Sequence, residues 1–201
     1  VALHDTFPKL LLRNAAGWPA EVAMREKEFG VWNEFTWSDY RDRVKEIALG
    51  LAGLGVRRGE VVALIGKNRP EMVWGEVAAH ALGCMTLGIY HDAMNEEVAY
   101  LIGYAQARVV LAEDEEQVDK LLEVAETAAC IEKIVYFDPR GMRKYDDPRL
   151  MSREALKAEA ARVEAAEPGR FEGEVARGRG DEVAILGTTS GTVSNPKLAM
   201  L

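Results

Sequence analysis

With 201 residues, 48% of them hydrophobic and 29% charged, the chain can bury a substantial core and has the composition of an ordinary globular protein. A formal net charge of −8 argues against a general nucleic-acid or membrane-surface binder, which needs a basic face, although a total leaves a local basic patch open. Cys84 and Cys130 stand in apolar surroundings without CxxC spacing, which reads as two buried free thiols in a reducing compartment.

The opening "DTFPKLLLRNAAGWP" reads as a short amphipathic segment closed by Gly17, Trp18 and Pro19. In "EVAMREKEFGVWNEFTW" apolar and polar residues alternate on both sides of Gly30, the pattern of a β-hairpin. Thr36 and Asp39 have the spacing of a capping box, so a helix should start near Trp37, with Tyr40, Val44, Ile47, Leu51 and Leu54 on one face. Gly53 and Gly55 should end it.

A regular rhythm follows. "EVVALIG" is a strand; "RPEMVWGEVAAHALG" is a helix with Pro70 in its first turn; "CMTLGIY" is a strand. "NEEVAYLIGYA" is a helix that Asn95 would cap, "ARVVLAE" a strand, "DEEQVDKLLEVAETAA" a helix and "EKIVYF" a strand. Strands apolar throughout, separated by helices, predict a doubly wound α/β fold: a mainly parallel sheet with helices on both faces, plus the N-terminal β-hairpin. "DPRGMRKYDDPRL" reads as an exposed loop, "SREALKAEAARVEAAEPG" as a polar helix capped by Ser152, and "RFEGEVARGRGDE" as a charged connector. "EVAIL" is a last buried strand, and it runs into "GTTSGTVSNPK". "EVAAHALGCMTLGIY" is too mixed to cross a bilayer. No signal peptide is visible, and because the first residue is Val1, a targeting segment stays open.

A glycine-rich turn after a parallel strand is a place where α/β proteins bind phosphate. Gly187 and Gly191 would bend the backbone and aim N–H groups at an anion; Thr188, Thr189, Ser190, Thr192 and Ser194 add hydroxyl donors. Lys197 contributes a full positive charge, its approach stiffened by Pro196. Neither the Walker loop nor the G-x-G-x-x-G fingerprint is present. The bland alternative is a flexible tail rich in Ser and Thr. His91-Asp92 reads as a strand-end turn, His80 as a packed or half-exposed histidine, and Trp74, Tyr90, Tyr100 and Tyr104 as core aromatics. The acidic run "EDEEQVDK" suits a helix start rather than a metal site.

The order T-S-G-T-x-x-x-P-K, Thr189 to Lys197, resembles the phosphate-binding loop of the AMP-forming adenylating enzymes, the superfamily of acyl-CoA synthetases, nonribosomal peptide adenylation domains and firefly luciferase. "TWSDYRDRVKEIALGLAGLGVRRGEVVALIGKNRPEMVWGEVAAHALG" is similar to that family's early helix, turn, strand and "N-R-P-E" helix. "GIYHDAMNEEVAYLIGYAQARVVLAED" and "EKIVYFDPRG" resemble the long-chain fatty acyl-CoA synthetase branch. The resemblance implies a two-step ligase. A carboxylate attacks the α-phosphate of ATP, pyrophosphate leaves, and the thiol of coenzyme A then attacks the acyl-adenylate. It implies nucleotide binding by Thr189, Ser190, Gly191, Thr192, Ser194 and Lys197, with Mg²⁺ sharing the phosphate charge and no catalytic residue in this stretch. The implied partners are a fatty acid or other carboxylic acid, ATP and CoA, with no nucleic acid. Cytoplasmic residence is expected, with peripheral membrane contact kept open.

Two departures stand out: Val193-Ser194 where the family has Thr-Gly, and Leu198 where it has Gly after the lysine. A lost hydroxyl partner costs about 1–3 kcal/mol if a phosphate oxygen is left bare. The resemblance also implies that the family's Mg²⁺ site, ribose-binding acid and mobile small domain lie downstream. On that basis the whole chain, 1–201, is the N-terminal part of the large adenylating domain, without ligase activity alone. It divides into an N-terminal segment and hairpin (1–36), an α/β core (37–137), a loop and polar helix (138–181), and a strand with the phosphate-binding loop (182–201). Two alternatives remain at this point. One is an aryl-acid or fatty acyl-AMP ligase; the other is a non-catalytic nucleotide-binding module, which Val193 and Leu198 favour.

Overall fold

The computed structural model describes residues 4–189 and 196–201. Helix α1 (Phe7–Gly17) is capped by the Thr6 hydroxyl and leads into the hairpin β1 (Val22–Glu28) and β2 (Val31–Thr36). Phe29 and Gly30 both take positive φ at its tip, the conformation that lets a two-residue turn follow the strands' twist. Thr36 and Asp39 form the anticipated capping box, and α2 starts at Trp37 and runs to Gly53. Leu54, expected on its inner face, is instead the half-buried residue that closes the helix.

Strands and helices then alternate as far as β6, which is followed by a second strand before the next helix: β3 (Val61–Gly66), α3 (Pro70–Ala81), β4 (Met85–Tyr90), α4 (Asn95–Ala105), β5 (Val109–Ala112), α5 (Glu115–Val124), β6 (Lys133–Tyr136), β7 (Leu150–Ser152) and α6 (Arg153–Ala166). Helix α7 (Arg170–Arg177), β8 (Ile185–Thr188) and β9 (Leu198–Met200) complete the described chain. The seven strands after the hairpin form one sheet in the order β7-β6-β5-β3-β4-β8-β9, parallel except for the β8–β9 pair. The doubly wound expectation therefore holds.

Several local expectations are corrected. Asn95 does not cap α4: Met94 occupies the cap without a side-chain bond, and Asn95 Nδ2 donates to Glu123 Oε2 at 2.6 Å. The stretch read as an exposed loop ends in β7, a short edge strand whose pairing with β6 supplies what its sequence does not advertise. The "charged connector" contains α7, because Phe171 and Val175 lie one turn apart and are fully covered while the charges face outward. The last strand is displaced towards the C-terminus: Gly187, expected to bend, and Thr188, expected as a hydroxyl donor of the loop, are paired with Ala199 and Leu198.

Side chains alternate strictly between two cores. Val62, Leu64, Val109, Leu111 and Val135 pack under α1, α2, α3, α6 and α7, while Val61, Ala63, Ile65, Val110 and Ile134 pack under α4 and α5. Period-two alternation on strands buried on both faces demands this arrangement. Trp74 is the largest side chain in the first core; Phe35 meets its edge at 5.1 Å and fastens the hairpin to the sheet. Cys84 is buried and Cys130 half-buried, both as free thiols.

Helices α2 and α6 approach closely at Gly50, where an added Cβ would lie 2.5 Å from Leu156 Cγ and 2.8 Å from the Leu156 carbonyl oxygen. Gly50→Ala gains about 1 kcal/mol of helix propensity, but backbone overpacking costs about 1–3 kcal/mol, and a carbonyl cannot rotate away. The substitution should therefore lower stability by about 1 kcal/mol or more in urea unfolding; a more stable variant would contradict this close packing.

Candidate functional site

The chain leaves β3 through α3 on one face of the sheet and leaves neighbouring β4 through α4 on the other. A crevice must open between the carboxyl ends of two such strands. A cleft of about 620 Å³ lies there, reaching from β3 and α3 across β4 to β8. That volume is in the range of small-molecule sites. Pairing of Thr86 with Ile185 and Leu87 with Leu186 places the end of β8 on the same rim.

The sheet face under the cleft is unusually bare. Leu87, Ile89 and Leu186 point into the second core, so β4 and β8 present Thr86, Gly88, Ile185 and Gly187 on the other side. Nothing lies within 4 Å of where a Gly88 Cβ would be. Met72, Val73 and Glu76 of α3 form the wall, and Tyr90, His91 and Thr188 stand at the mouth. Tyr90 is 74% exposed and Tyr104 59%, so neither is the core aromatic that the sequence suggested; Trp74 is, and Tyr100 is half-buried and stacks on Tyr104 at 5.6 Å. His91 and Asp92 form a turn, as expected, and the His91 carbonyl accepts from Lys120 Nζ at 2.6 Å.

Of the hydroxyl-rich loop, Thr189 and Lys197 are described; Ser190, Gly191, Thr192 and Ser194 lie outside the described residues. The structure brings Thr189 and Lys197 together. The Lys197 carbonyl accepts from the Thr189 N–H at 2.9 Å and from its hydroxyl at 3.1 Å. Both Thr189 donors are thus spent on closing the neck of the β8–β9 hairpin, and Lys197 is exposed without an ion pair to any described residue. Among the described residues no group of three or more His, Cys, Asp or Glu is placed to hold a metal ion, and no helix is long and apolar enough to cross a membrane.

A polar cluster that sequence reasoning missed sits behind the cleft wall, running from Glu76 on the cleft lining to His80, which lines a separate pocket beside α1. His80 Nε2 lies 2.9 Å from the Ala184 carbonyl and 3.0 Å from Thr86 Oγ1. Because a carbonyl only accepts, Nε2 carries the proton, and Nδ1 is left buried without a partner among the described residues. Burial holds the His80 pKa below its ordinary value, against the favourable bond to Ala184. Glu76 Oε1 is 3.5 Å from Thr86 Oγ1, and burial raises its pKa, with the Thr86 bond opposing. The available signal was Glu76 and His80 one turn apart on a helix that is apolar after its first turn. Their partner, Thr86, lies on a strand whose register fixes the contact.

A second, smaller cleft of about 290 Å³ lies between the hairpin and the ends of β3, β5 and β6. Its lining carries five carboxylates, Glu26, Glu28, Glu71, Glu113 and Asp138, and two arginines, Arg69 and Arg140. Arg69 reaches Glu26 at 3.0 Å and lies within 4 Å of Glu28, Glu71 and Glu113, which makes it a clamp for the hairpin.

The sheet order and the cleft at its switch point define a doubly wound ligand-binding α/β protein. Residues 11–201 match the model of the AMP-binding enzyme family, and the chain belongs to that family. It is 36% identical over 126 residues to uncharacterized protein Rv1549 of Mycobacterium tuberculosis, a match covering 63% of this chain and 69% of that protein. Over 197 residues it is 25% identical to the long-chain-fatty-acid–CoA ligase FadD15 of Mycobacterium bovis, covering 98% of this chain and 31% of the ligase. The crystal structure of the anthranilate CoA ligase AuaEII with anthranoyl-AMP superposes with a TM-score of 0.77 at 21% identity, over 96% of this chain and 34% of that one. At that identity the likeness is one of fold. The chain spans about a third of the length of these two ligases.

His80 sets a pH dependence. Its folded pKa is depressed, so the unfolded chain binds more protons as pH falls through the ordinary histidine value of about 6.5, and stability declines. In urea unfolding, wild type should lose stability relative to His80→Gln as pH is lowered from about 6.5; parallel curves would refute the buried neutral imidazole.

Proposed function

We propose that the chain forms the N-terminal part of the adenylating domain of an acid–thiol ligase, with a long-chain fatty acid as the substrate class. The observation that carries this reading is the joining of an apolar cleft to a strand end rich in hydroxyls. A carboxylic acid lies along the bare face of β4 and β8, with its carboxylate at the mouth near Thr188. There it meets the α-phosphate of ATP, and pyrophosphate leaves as the acyl-adenylate forms. Coenzyme A thiol then attacks the acyl carbon and AMP leaves. Long-chain-fatty-acid–CoA ligases among the relatives support the fatty acyl choice.

In this reading Lys197 offsets charge on the departing phosphates, and the hairpin neck closed by Thr189 sets its reach. Ser190, Gly191, Thr192 and Ser194 are assigned as further phosphate donors on sequence grounds. Tight positioning and charge neutralisation are what this chain contributes.

In the complete gene product, palmitate should stimulate pyrophosphate release from ATP. Lys197→Ala should raise the KM for ATP about 10–100-fold, the value of one charged hydrogen bond. Release with aryl acids alone would contradict the fatty acyl assignment. Gly88→Val should preserve stability in urea unfolding, because its side chain enters open space on a strand, yet abolish acid-stimulated release by filling the cleft. Full activity of the valine variant would place the acid elsewhere.

A further inference from the structure

The sheet order places β9 at the edge, so among the described residues the β8–β9 hairpin joins the rest of the sheet through β4 alone. That pairing has two positions, Thr86 with Ile185 and Leu87 with Leu186. The residue before β8 carries much of the attachment. The Ala184 carbonyl accepts from the Thr86 N–H at 2.8 Å and from His80 Nε2 at 2.9 Å. On the other side, the Ala184 and Ile185 N–H groups both donate to the Leu201 carbonyl, at 2.8 and 3.1 Å. Ala184 therefore fastens the hairpin to β4 while holding its two strands together.

His80 brings a third element to this junction. It stands on α3, whose Trp74, Ala78, Ala79 and Ala81 are buried in the first core, so the imidazole approaches from a rigid support. Phe7 of α1 stacks on the ring at 6.2 Å. Such a hydrogen bond contributes about 0.5–1.5 kcal/mol, a large fraction where two ladder positions supply the rest. Thr188 ends β8, and the neck that joins Thr189 to the Lys197 carbonyl follows directly. Movement of β8 at Ala184 carries Thr189 and Lys197 with it.

We propose that His80 is a positioning residue for the loop after β8: by holding the Ala184 carbonyl beside β4 it fixes where Thr189 and Lys197 stand, and it does so only while the imidazole is neutral. This rests on the reading that the loop meets the phosphates of ATP, and it adds a pH-regulated anchor to that site.

The condition on charge follows from the geometry. A second proton must enter at Nδ1, which is buried with no partner among the described residues. The titratable and charged groups around the ring are Glu76 one turn earlier on α3, the Cys84 thiol, and His4, Asp5, Arg179 and Glu182 in the pocket beside α1. None of them hydrogen-bonds Nδ1. Cys84 donates to the Arg57 carbonyl, Glu182 pairs with Arg58, Arg179 with Asp181, and Asp5 with Lys9. An imidazolium is therefore driven out towards water, and Ala184 loses its bond from α3. Because burial depresses the folded pKa, the neutral ring is present at and above the ordinary histidine value of about 6.5, and the anchor is lost as pH falls through the lower folded value.

The test uses the complete gene product. Amide exchange is read by mass spectrometry across β4 and β8, and steady-state kinetics by palmitate-stimulated pyrophosphate release. At about one pH unit above the ordinary histidine value, His80→Leu should speed exchange in both strands and raise the KM for ATP, each about three- to tenfold, with kcat little changed. His80→Gln keeps an N–H near the place of Nε2 and should behave as wild type. At about one pH unit below that value, wild type should move towards the leucine variant while His80→Gln does not, a comparison that stands even where the leucine variant fails to fold. Unchanged exchange in His80→Leu, faster exchange with an unchanged KM for ATP, a glutamine variant that behaves like leucine, or parallel pH curves for wild type and His80→Gln overturns the assignment. The two readings fail separately. The expected exchange pattern without pyrophosphate release from any acid removes adenylation and leaves the anchor. Release with the same KM for ATP in all three forms removes the anchor and leaves adenylation.

Discussion

The site depends on one pairing, that of β4 with β8. Two backbone-paired positions, Thr86 with Ile185 and Leu87 with Leu186, bring together segments about a hundred residues apart. Without them the threonines after Leu186 would have no fixed relation to the crevice between β3 and β4. The register also decides which faces are shared. A slip of one residue would turn Leu186 onto the cleft and Gly187 into the second core.

The same register explains why a cleft exists at all. On the covered half of the sheet, the central strands send Val62, Leu64, Val109, Leu111 and Val135 towards the helices of the first core, and the space is filled. Over β4 and β8 that face carries Thr86, Gly88, Ile185 and Gly187, and α3 approaches only from one side. A sheet that could have closed with larger side chains leaves room instead. Beside this cleft, His80 keeps a buried Nδ1 with no partner among the described residues, and half-buried Glu76 on the wall makes one long hydrogen bond, to Thr86.

Most of the fold was legible because the central strands are apolar throughout and the helices between them have clear ends. Thr36, Ser152 and Pro70 marked helix starts correctly because capping and proline placement are local physics. The misses share a cause. β7 and β9 are three-residue strands defined by their neighbours rather than by their own composition, and α7 exposes only Phe171 and Val175 as a signal amid charges. At the site, the hydroxyl cluster and Lys197 were visible as a motif. The Glu76–Thr86–His80 contact was not, since no pattern within α3 tells which strand will lie opposite. Thr189 shows the same limit: its residue type suggested a phosphate donor, and nothing in the sequence told that its N–H and hydroxyl would also reach the Lys197 carbonyl across the hairpin neck.

Hydrogen exchange with and without an acyl-sulfamoyl adenosine, a stable mimic of an acyl-adenylate, tests the location of the site most directly. The account predicts slowed exchange at the carboxyl ends of β3, β4 and β8 and at residues 197–200, with the hairpin at 22–36 unchanged. Protection confined to the hairpin, or none at the ends of β4 and β8, would contradict it.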